Sequence, residues 1–409
     1  MKILYISYDG MTDPLGQSQV IPYLIGLSKN HQITLISCEK EERYELQKNT
    51  IQKLLSANRI NWLPVSYSRL PSILSKQWNI ARIKWKAIHA CKQEQIDIVH
   101  CRSYMAALIG LFLKKKFGVK FIFDMRGFWA DERIDGNIWS KNRYIHKQLY
   151  AYFKKKEIEF LCNADYTVSL TENAKREILS WSALKSCNVP IEVIPCCADL
   201  HHFSLEQIQP LEQRTLREKL SIAENDLIIS YLGSIGTWYM LDEMLDFFSC
   251  VLEKIPNAKF LFITPDKKED ILEKARMKRM DTKQLIICSA NRKDVPLYLS
   301  LSSLAVYFIK PCYSKKASSP TKTAEILGLG IPIITNTGIG DSNEIIETSG
   351  AGLLIHEFNK ENYMNIIQKF SVLLSIDKRK LVETSHAYFS LEKGVKLYES
   401  VYNRINTKN

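Results

Sequence analysis

The residues from Tyr313 to Thr335 read Tyr-Ser-Lys-Lys-Ala-Ser-Ser-Pro-Thr-Lys-Thr-Ala-Glu-Ile-Leu-Gly-Leu-Gly-Ile-Pro-Ile-Ile-Thr, and their types and order suit an anion site. Ser319 followed by Pro320 predicts a helix start, with a side-chain cap and then proline at the first helical position. Gly328 and Gly330 punctuate the far end of that helix, and Ile331 to Thr335 is a short β-branched run that predicts a buried strand. Lys322 and Glu325 fall in the first turns of the helix. A helix start carries unpaired N–H groups and a partial positive charge, and Lys315, Lys316 and Lys322 add charge beside it. Ser318, Ser319, Pro320, Thr321 and Lys322 are therefore expected against a phosphate. Glu325, one turn in, is expected against hydroxyls of the same ligand. A sugar nucleotide offers both groups. The same residues also suit an ordinary capped helix with a solvated glutamate.

Other candidate residues stand in loops that follow apolar runs. The first such loop, Asp9 to Gln19, holds Gly10 and Gly16, which permit tight backbone or the approach of a diphosphate or sugar. It also holds Gln17, and Ser18 as a possible cap of the next helix. It is neither Gly-x-Gly-x-x-Gly nor a P-loop, which disfavours a dinucleotide. His100-Cys-Arg-Ser103 and Asp124-Met-Arg-Gly-Phe-Trp-Ala-Asp-Glu-Arg133 are expected on the ligand edge of a sheet. They nominate His100 and Arg126 as groups that orient the acceptor or the reacting sugar, and Arg102, Arg126, Asp131 and Glu132, with Gln17, as acceptor contacts. Phe128 and Trp129 beside them suit stacking on a sugar, or an ordinary rigid loop. Gly233, Ser234 and Gly236 lie in a second glycine loop, Gly233-Ser-Ile-Gly-Thr-Trp-Tyr239, and Gly338-Ile-Gly-Asp-Ser-Asn-Glu344 is a third. No His/Cys cluster has zinc spacing, and no metal is expected.

The elements that must position these residues follow a βαβ rhythm. Strands are predicted at residues 2–8, 32–38, 61–65, 97–101, 120–124, 165–170 and 192–195, with amphipathic stretches such as 17–29 and 105–116 between them. The rhythm loosens around Cys196–Asn225, where a linker is expected. It then restarts with strands at 227–232, 259–263, 284–289, 304–309 and 331–335. This is an α/β fold of two doubly wound Rossmann-like domains, residues 1–205 and 206–387, with 388–409 returning to the first.

The whole chain narrows the function. At 409 residues it has room for two or three domains. Lysine plus arginine number 56 against 44 acidic residues, a net +12 that favours an anionic partner. No zinc-finger or RNA-recognition signature is present, so nucleic acid is not expected. The segment Tyr67–Lys92 mixes Trp78 and Trp85 with Lys76, Arg82, Lys84, Lys86 and Lys92, as an interfacial helix does. Lys114-Lys-Lys-Phe and Phe153-Lys-Lys-Lys156 extend the bias towards a membrane surface, although each cluster also suits a solvated helix face. No run reaches the about 18–20 apolar residues of a membrane span. The opening residues read as a first strand rather than a signal peptide. Ten scattered cysteines without Cys-x-x-Cys are expected to be reduced, in a cytoplasmic protein at or near the inner membrane face.

Together, "PTKTAEILGLGIPIIT", "DIVHCRS", "DMRGFWADE", "VIPCCADLHHF", "ISYLGSIGTWYML" and "YFSLEKGVKLYESVYNRI" resemble the GT-B glycosyltransferases of family 4, along essentially the whole chain. That resemblance implies two Rossmann-like domains facing a central cleft, with the last helix crossing back to the first domain. It implies retaining transfer of a sugar from a nucleotide diphosphate donor, bound mainly by the second domain. The acceptor, a glycan or lipid-linked glycan, binds the first, as in assembly of bacterial capsule, O-antigen or exopolysaccharide. No metal or other cofactor is implied. Glu325 matches the second glutamate of the family's Glu-x7-Glu motif, which holds the ribose. The first glutamate is replaced by Ala317, and the family's diphosphate-clamping arginine and lysine by Ser234 and Tyr239. Lys322 and the helix start are left to meet the diphosphate. The alternatives are a nucleotide-sugar epimerase on the same architecture, a non-catalytic protein that binds donor or lipid, and a peripheral membrane or nucleic-acid binder favoured by net charge alone.

Overall fold

The structure, a computed structural model, describes residues 1–68 and 73–406; the side chains of residues 73, 74 and 76 are outside the described set, and with them Lys76 of the basic-aromatic segment. The chain forms two compact units. One comprises Met1–Cys197, Lys316–Ser318 and Leu391–Asn409, and the other Ala198–Lys315 and Ser319–Ser390.

The first unit contains strands β1 (Lys2–Ser7), β2 (Gln32–Glu39), β3 (Ile60–Ser66), β4 (Ile98–Arg102), β5 (Lys120–Asp124), β6 (Tyr166–Ser169) and β7 (Ile191–Val193). All are parallel, in the order β3-β2-β1-β4-β5-β6-β7. Parallel strands covered on both faces are apolar along their whole length. In β1, Leu4 and Ile6 enter one core with Val99 and Phe121, while Ile3 and Tyr5 enter the other with Ile33 and Ile98. The final helix, Leu391–Asn406, belongs to this unit and buries Tyr398, Val401, Tyr402 and Ile405 in the second of these cores.

The second unit contains β8 (Ile228–Leu232), β9 (Lys259–Ile263), β10 (Leu285–Cys288), β11 (Leu304–Val306), β12 (Ile333–Asn336) and β13 (Gly352–Ile355), parallel in the order β10-β9-β8-β11-β12-β13. Each unit is thus a doubly wound Rossmann-like sheet, as the rhythm of the sequence predicts. Strand order reverses between β1 and β4 in one sheet and between β8 and β11 in the other. Crevices beyond the strands' carboxyl ends at such points are where these folds take ligands.

Several local expectations are corrected. β13 was not expected, and β11 ends at Val306 rather than Ile309, because the chain turns there and Ile309 bridges to Tyr239. The helix expected over 17–29 is two, Pro14–Gln19 and Ile21–Leu27, broken at Val20 where Pro22 begins the second. Ser18 lies inside the first and donates to the Pro14 carbonyl instead of capping. The expected linker is ordered structure. The division between units falls at Cys197, and Leu216, from the helix Pro210–Lys219, and Ile222 join the second core. The cysteines are not all free thiols. Cys162, at the end of the helix Tyr144–Asn163, forms a disulfide with Cys187, a pairing made by the tertiary fold that their spacing does not announce.

Candidate functional site

In the second unit, the loop after β8 is fastened from below. Gly233 has φ +108°, a value costly for any residue with a Cβ. The Tyr231 hydroxyl donates to the Ser234 carbonyl at 2.6 Å, and Ser234 Oγ donates to Asp266 at 3.0 Å. The Ile235 N–H also donates to the Asp266 carboxylate. Gly236 faces open space. The helix Thr321–Gly328 begins one residue later than the sequence predicts. Pro320 itself fills the capping position, in extended conformation, and its side chain offers no capping hydrogen bond. Ser319 is therefore not the cap.

Lys322 is the second residue of this helix. Its side chain is buried, and Nζ has no hydrogen-bond partner among the described residues. It lies 3.5 Å from the ring centre of Tyr239, 4.4 Å from Tyr231 and 5.7 Å from Tyr307. A methyl group built on Gly233 would sit 3.3 Å from Nζ, so the amine lies directly under the glycine loop. Stripping an ammonium of water disfavours the charged form, and a desolvated cation–π contact returns only about 2 kcal/mol. Burial wins, and pushes Lys322 well below the usual lysine range, with Glu325 only partly restoring it. Glu325 is also buried, and its Oε1 accepts a 3.0 Å bond from Nη1 of Arg292, a half-exposed residue that sequence reasoning missed. Lys315 is buried with Nζ 3.6 Å from the Trp238 ring. Lys316, expected beside the phosphate, instead belongs to the first unit and pairs with Glu177 at 2.8 Å. Ser318 and Ala317 also belong to the first unit, and Ala317 is part of its core. Lys322, Glu325, Gly233, Ser234, Gly236, Ser319, Pro320 and Thr321 all lie in the second.

In the first unit the glycines serve the loop itself. The Glu39 carboxylate accepts from the amides of Met11 at 2.8 Å and Thr12 at 3.1 Å, and from the Thr12 hydroxyl at 2.7 Å. A Cβ on Gly10 would lie 2.8 Å from that carboxylate, and one on Gly16 2.2 Å from the Gly10 carbonyl oxygen. A side chain at either position would collide with the loop, so both glycines are required by its packing. Gln17 donates to the Thr12 carbonyl and to Gln47.

His100 lies within β4, not beyond it. Its Nδ1 shares a 2.7 Å hydrogen bond with the Tyr402 hydroxyl, and Nε2 is 3.5 Å from Asp124. It is buried among Tyr5, Tyr398 and Tyr402, with Nδ1 bonded and Nε2 without a hydrogen-bond partner among the described residues, so it is a core histidine rather than a group at the surface. Burial lowers its pKa below 6.5 against the opposing pull of Asp124. The neutral form is the one the fold prefers, so this contribution is complete above about pH 6.5 and is lost as pH falls below it. Unfolding free energy should therefore fall with acid by up to about 1.4 kcal/mol per pH unit from this group. In urea titrations between pH 7 and 5, His100→Gln is expected to show a shallower slope than the parent. Parallel curves would overturn that expectation.

Asp131 and the aromatics are corrected as well. Asp131 is buried and accepts from Tyr150 at 2.8 Å and Lys154 at 3.0 Å, Phe128 is fully buried, and Trp129 packs against Trp139 and Phe153. They join the helix Trp129–Asp135, which also carries Glu132, to its neighbour rather than presenting a sugar platform. Arg126 keeps its nomination. It sits just past β5 with φ +57°, and its Nη2 reaches Gln19 at 3.4 Å and Cys196 at 3.2 Å. Nη1 is 4.0 Å from Asp124, and Nε has no hydrogen-bond partner among the described residues. Arg102 ends β4 with Nε 3.5 Å from Asp9. Arg102 therefore stands at the strand-order reversal of the first sheet, and Arg126 at the end of the neighbouring strand β5. Among the described residues no group of three or more His, Cys, Asp or Glu side chains is gathered that could hold a metal ion.

Two family profiles match the chain, "Glycosyltransferase Family 4" over residues 24–202 and "Glycosyl transferases group 1" over residues 212–380. No curated protein matches it in sequence. Among solved structures it resembles a glycosyltransferase from Rickettsia africae, with 16% identity, TM-score 0.72, and 100% of this chain and 99% of that one covered. It also resembles sucrose-phosphate synthase from Thermosynechococcus elongatus, with 13% identity, TM-score 0.71, and 100% of both chains covered. A third is Anabaena HepE in complex with UDP and glucose, with 12% identity, TM-score 0.69, and 98% and 99% covered. At these identities the likeness to the three structures is one of fold.

Proposed function

The chain belongs to the glycosyltransferases of the GT-B fold, and from that premise we propose that it is a retaining enzyme of bacterial cell-surface polysaccharide assembly, taking a sugar from a nucleotide diphosphate donor held by the second unit. The observation that carries the donor assignment is Lys322, a buried amine with no hydrogen-bond partner among the described residues, set under Gly233 and in the first turn of a helix. Buried donors left unmade are costly. Two phosphoryl groups at that loop would supply the acceptors, and the helix amides would share the charge. Glu325, steadied by Arg292, would accept from the ribose hydroxyls.

In the reaction the bond from the anomeric carbon to the diphosphate oxygen breaks, and a bond to an acceptor hydroxyl forms on the same face. The hydroxyl proton leaves with the nucleotide diphosphate. Fixed donors facing the developing phosphate charge lower the barrier. In this reading Lys322 and the amides do so without a metal, and Arg126 and Arg102 in the first unit hold the acceptor, a glycan or lipid-linked glycan. The Anabaena relative's complex with UDP-glucose makes that donor the first to try.

A thermal-shift panel of sugar nucleotides, run with EDTA present, tests the donor assignment. A donor at about 100 times its Kd should add about 2.7 kcal/mol of stability. The reading fails if no sugar nucleotide raises the melting temperature, and its metal-free form fails if binding appears only when EDTA is left out. Turnover without any acceptor would turn the assignment towards an epimerase. NMR of the product's anomeric centre tests retention.

The acceptor's lipid character is supported by the helix Ile73–Gln93. It exposes Trp78 (58%) and Trp85 (67%), and no acidic residue stands between Glu45 and Glu94. Among the described residues no helix is long and apolar enough to cross a membrane, so association would be at the surface. Sedimentation with vesicles containing anionic lipid is expected, weakened by salt and by Trp78→Ser with Trp85→Ser. Equal recovery with neutral vesicles would refute it.

A further inference from the structure

This inference rests on the donor assignment just made and goes beyond it. We propose that the donor site takes up a proton when it fills: Lys322 stands as a neutral amine in its enclosure of tyrosine rings and becomes an ammonium as the donor's diphosphate settles over Gly233.

The geometry of the empty site disfavours a cation. An ammonium has three N–H donors, and Nζ has no hydrogen-bond partner for any of them. The charged groups around it are already engaged. On its own helix, Glu325 accepts from Arg292. Past β9, Asp266 holds Ser234 and the Ile235 amide. Tyr231 comes from β8, and its hydroxyl is given to the Ser234 carbonyl. Tyr307 follows β11, and its hydroxyl is shared with Thr323 at 2.7 Å. Tyr239, from the loop after β8, offers the ring that lies closest to Nζ. Ring faces, which return only about 2 kcal/mol to a desolvated cation, therefore surround the amine, and among the described residues no carboxylate is bonded to it. The approach that remains is past Gly233, whose missing side chain leaves 3.3 Å between the built methyl position and Nζ. Burial holds the amine well below the usual lysine range.

A diphosphate at that loop reverses the balance, because it brings negative charge and acceptors to the same atom. The proton comes from solvent: neutral amine, dianionic donor and one proton give the ammonium bound to the donor. The bond formed is N–H, and no electron transfer is involved. The empty protein thus carries no unpaired buried cation, and the full site has the charge that the leaving group needs.

Isothermal titration of the full-length protein with UDP-glucose and GDP-mannose, in buffers of different ionisation enthalpy between pH 7 and 9, reads the proton directly. A sugar diphosphate diester lacks the terminal phosphate ionisation near pH 6, and comparison with Lys322→Arg separates a proton taken by the amine from one exchanged at the base's ring N–H. The expected result is net proton uptake on donor binding within this range, with Kd rising as pH is raised, by up to about tenfold per pH unit. Lys322→Arg, which stays charged, should show no uptake. Donor binding with buffer-independent heat and a flat Kd would overturn the proposal. So would uptake that persists in Lys322→Arg. If that variant does not bind, the pH dependence of the parent's Kd decides alone. Failure of both sugar nucleotides to bind at any pH would instead overturn the donor assignment, and this proposal with it.

Discussion

Lys322→Met is expected to reduce kcat/KM by about 10²–10³-fold while leaving the protein as stable as before, or more so. Removing one fixed donor that faces developing charge costs on the order of 3–4 kcal/mol of transition-state stabilisation. Here the family's usual cationic clamp is represented by Ser234 and Tyr239, so no second cation at those positions shares the load. The stability half follows from the same atom. Nζ is buried without a hydrogen bond, and an apolar chain of similar length removes that penalty while filling the same space. Activity sites commonly carry such a cost. Steady-state kinetics beside thermal denaturation would check both halves. A variant that lost stability and activity together would make Lys322 a structural residue, and one that kept kcat/KM would remove it from the donor site.

The parts legible in the sequence were those whose signal is local. Strands such as β5 and β9 are buried on both faces, so Phe121-Ile-Phe123 and Phe260-Leu-Phe262 announce themselves as apolar runs. β13 is four residues at the sheet's edge, with only one of them fully covered, and its signal is correspondingly weak. Lys322 and Glu325 could be named together because one helix turn relates them. Arg292, Asp266, Tyr231 and Tyr307 reach the same place from four other segments, and only the tertiary fold gathers them. The misreadings share a cause. Aromatic and charged residues side by side at 124–133 suit an open sugar platform or a buried polar core equally well. Burial decides between the two, as the contacts of Asp131 with Tyr150 and Lys154 show. His100 was read as the edge of a strand, but lies one turn of the pleat inside it, facing Tyr402. The helix that supplies Tyr402 is 302 residues further along the chain.

That distant helix bears on the other large effect expected, in Asp124→Asn. Burial alone would raise the Asp124 carboxyl; the Arg126 guanidinium, with the nearby His100 ring, overrides it and holds the group below its ordinary value. The carboxylate also accepts a 3.0 Å bond from Tyr398. Its stabilisation is therefore present above about pH 3.8 and is lost as acid protonates it through the lower folded value. An amide of the same shape can keep the bond from Tyr398 but leaves Arg126 buried opposite no charge. Breaking a buried pair from one side costs about 3–5 kcal/mol, a large share of a stability that is usually 5–15 kcal/mol. The closest approach of the pair is 4.0 Å, so the attraction is through space rather than through a direct bond, and a double-mutant cycle is the proper measurement. Arg126→Met should also be destabilising, and Asp124→Asn with Arg126→Met should cost less than the sum of the two singles by at least about 1 kcal/mol. Additive losses in urea denaturation at pH 7 would mean that Arg126 is anchored by Gln19 and Cys196 alone. Its guanidinium would then owe nothing to the carboxylate beside it.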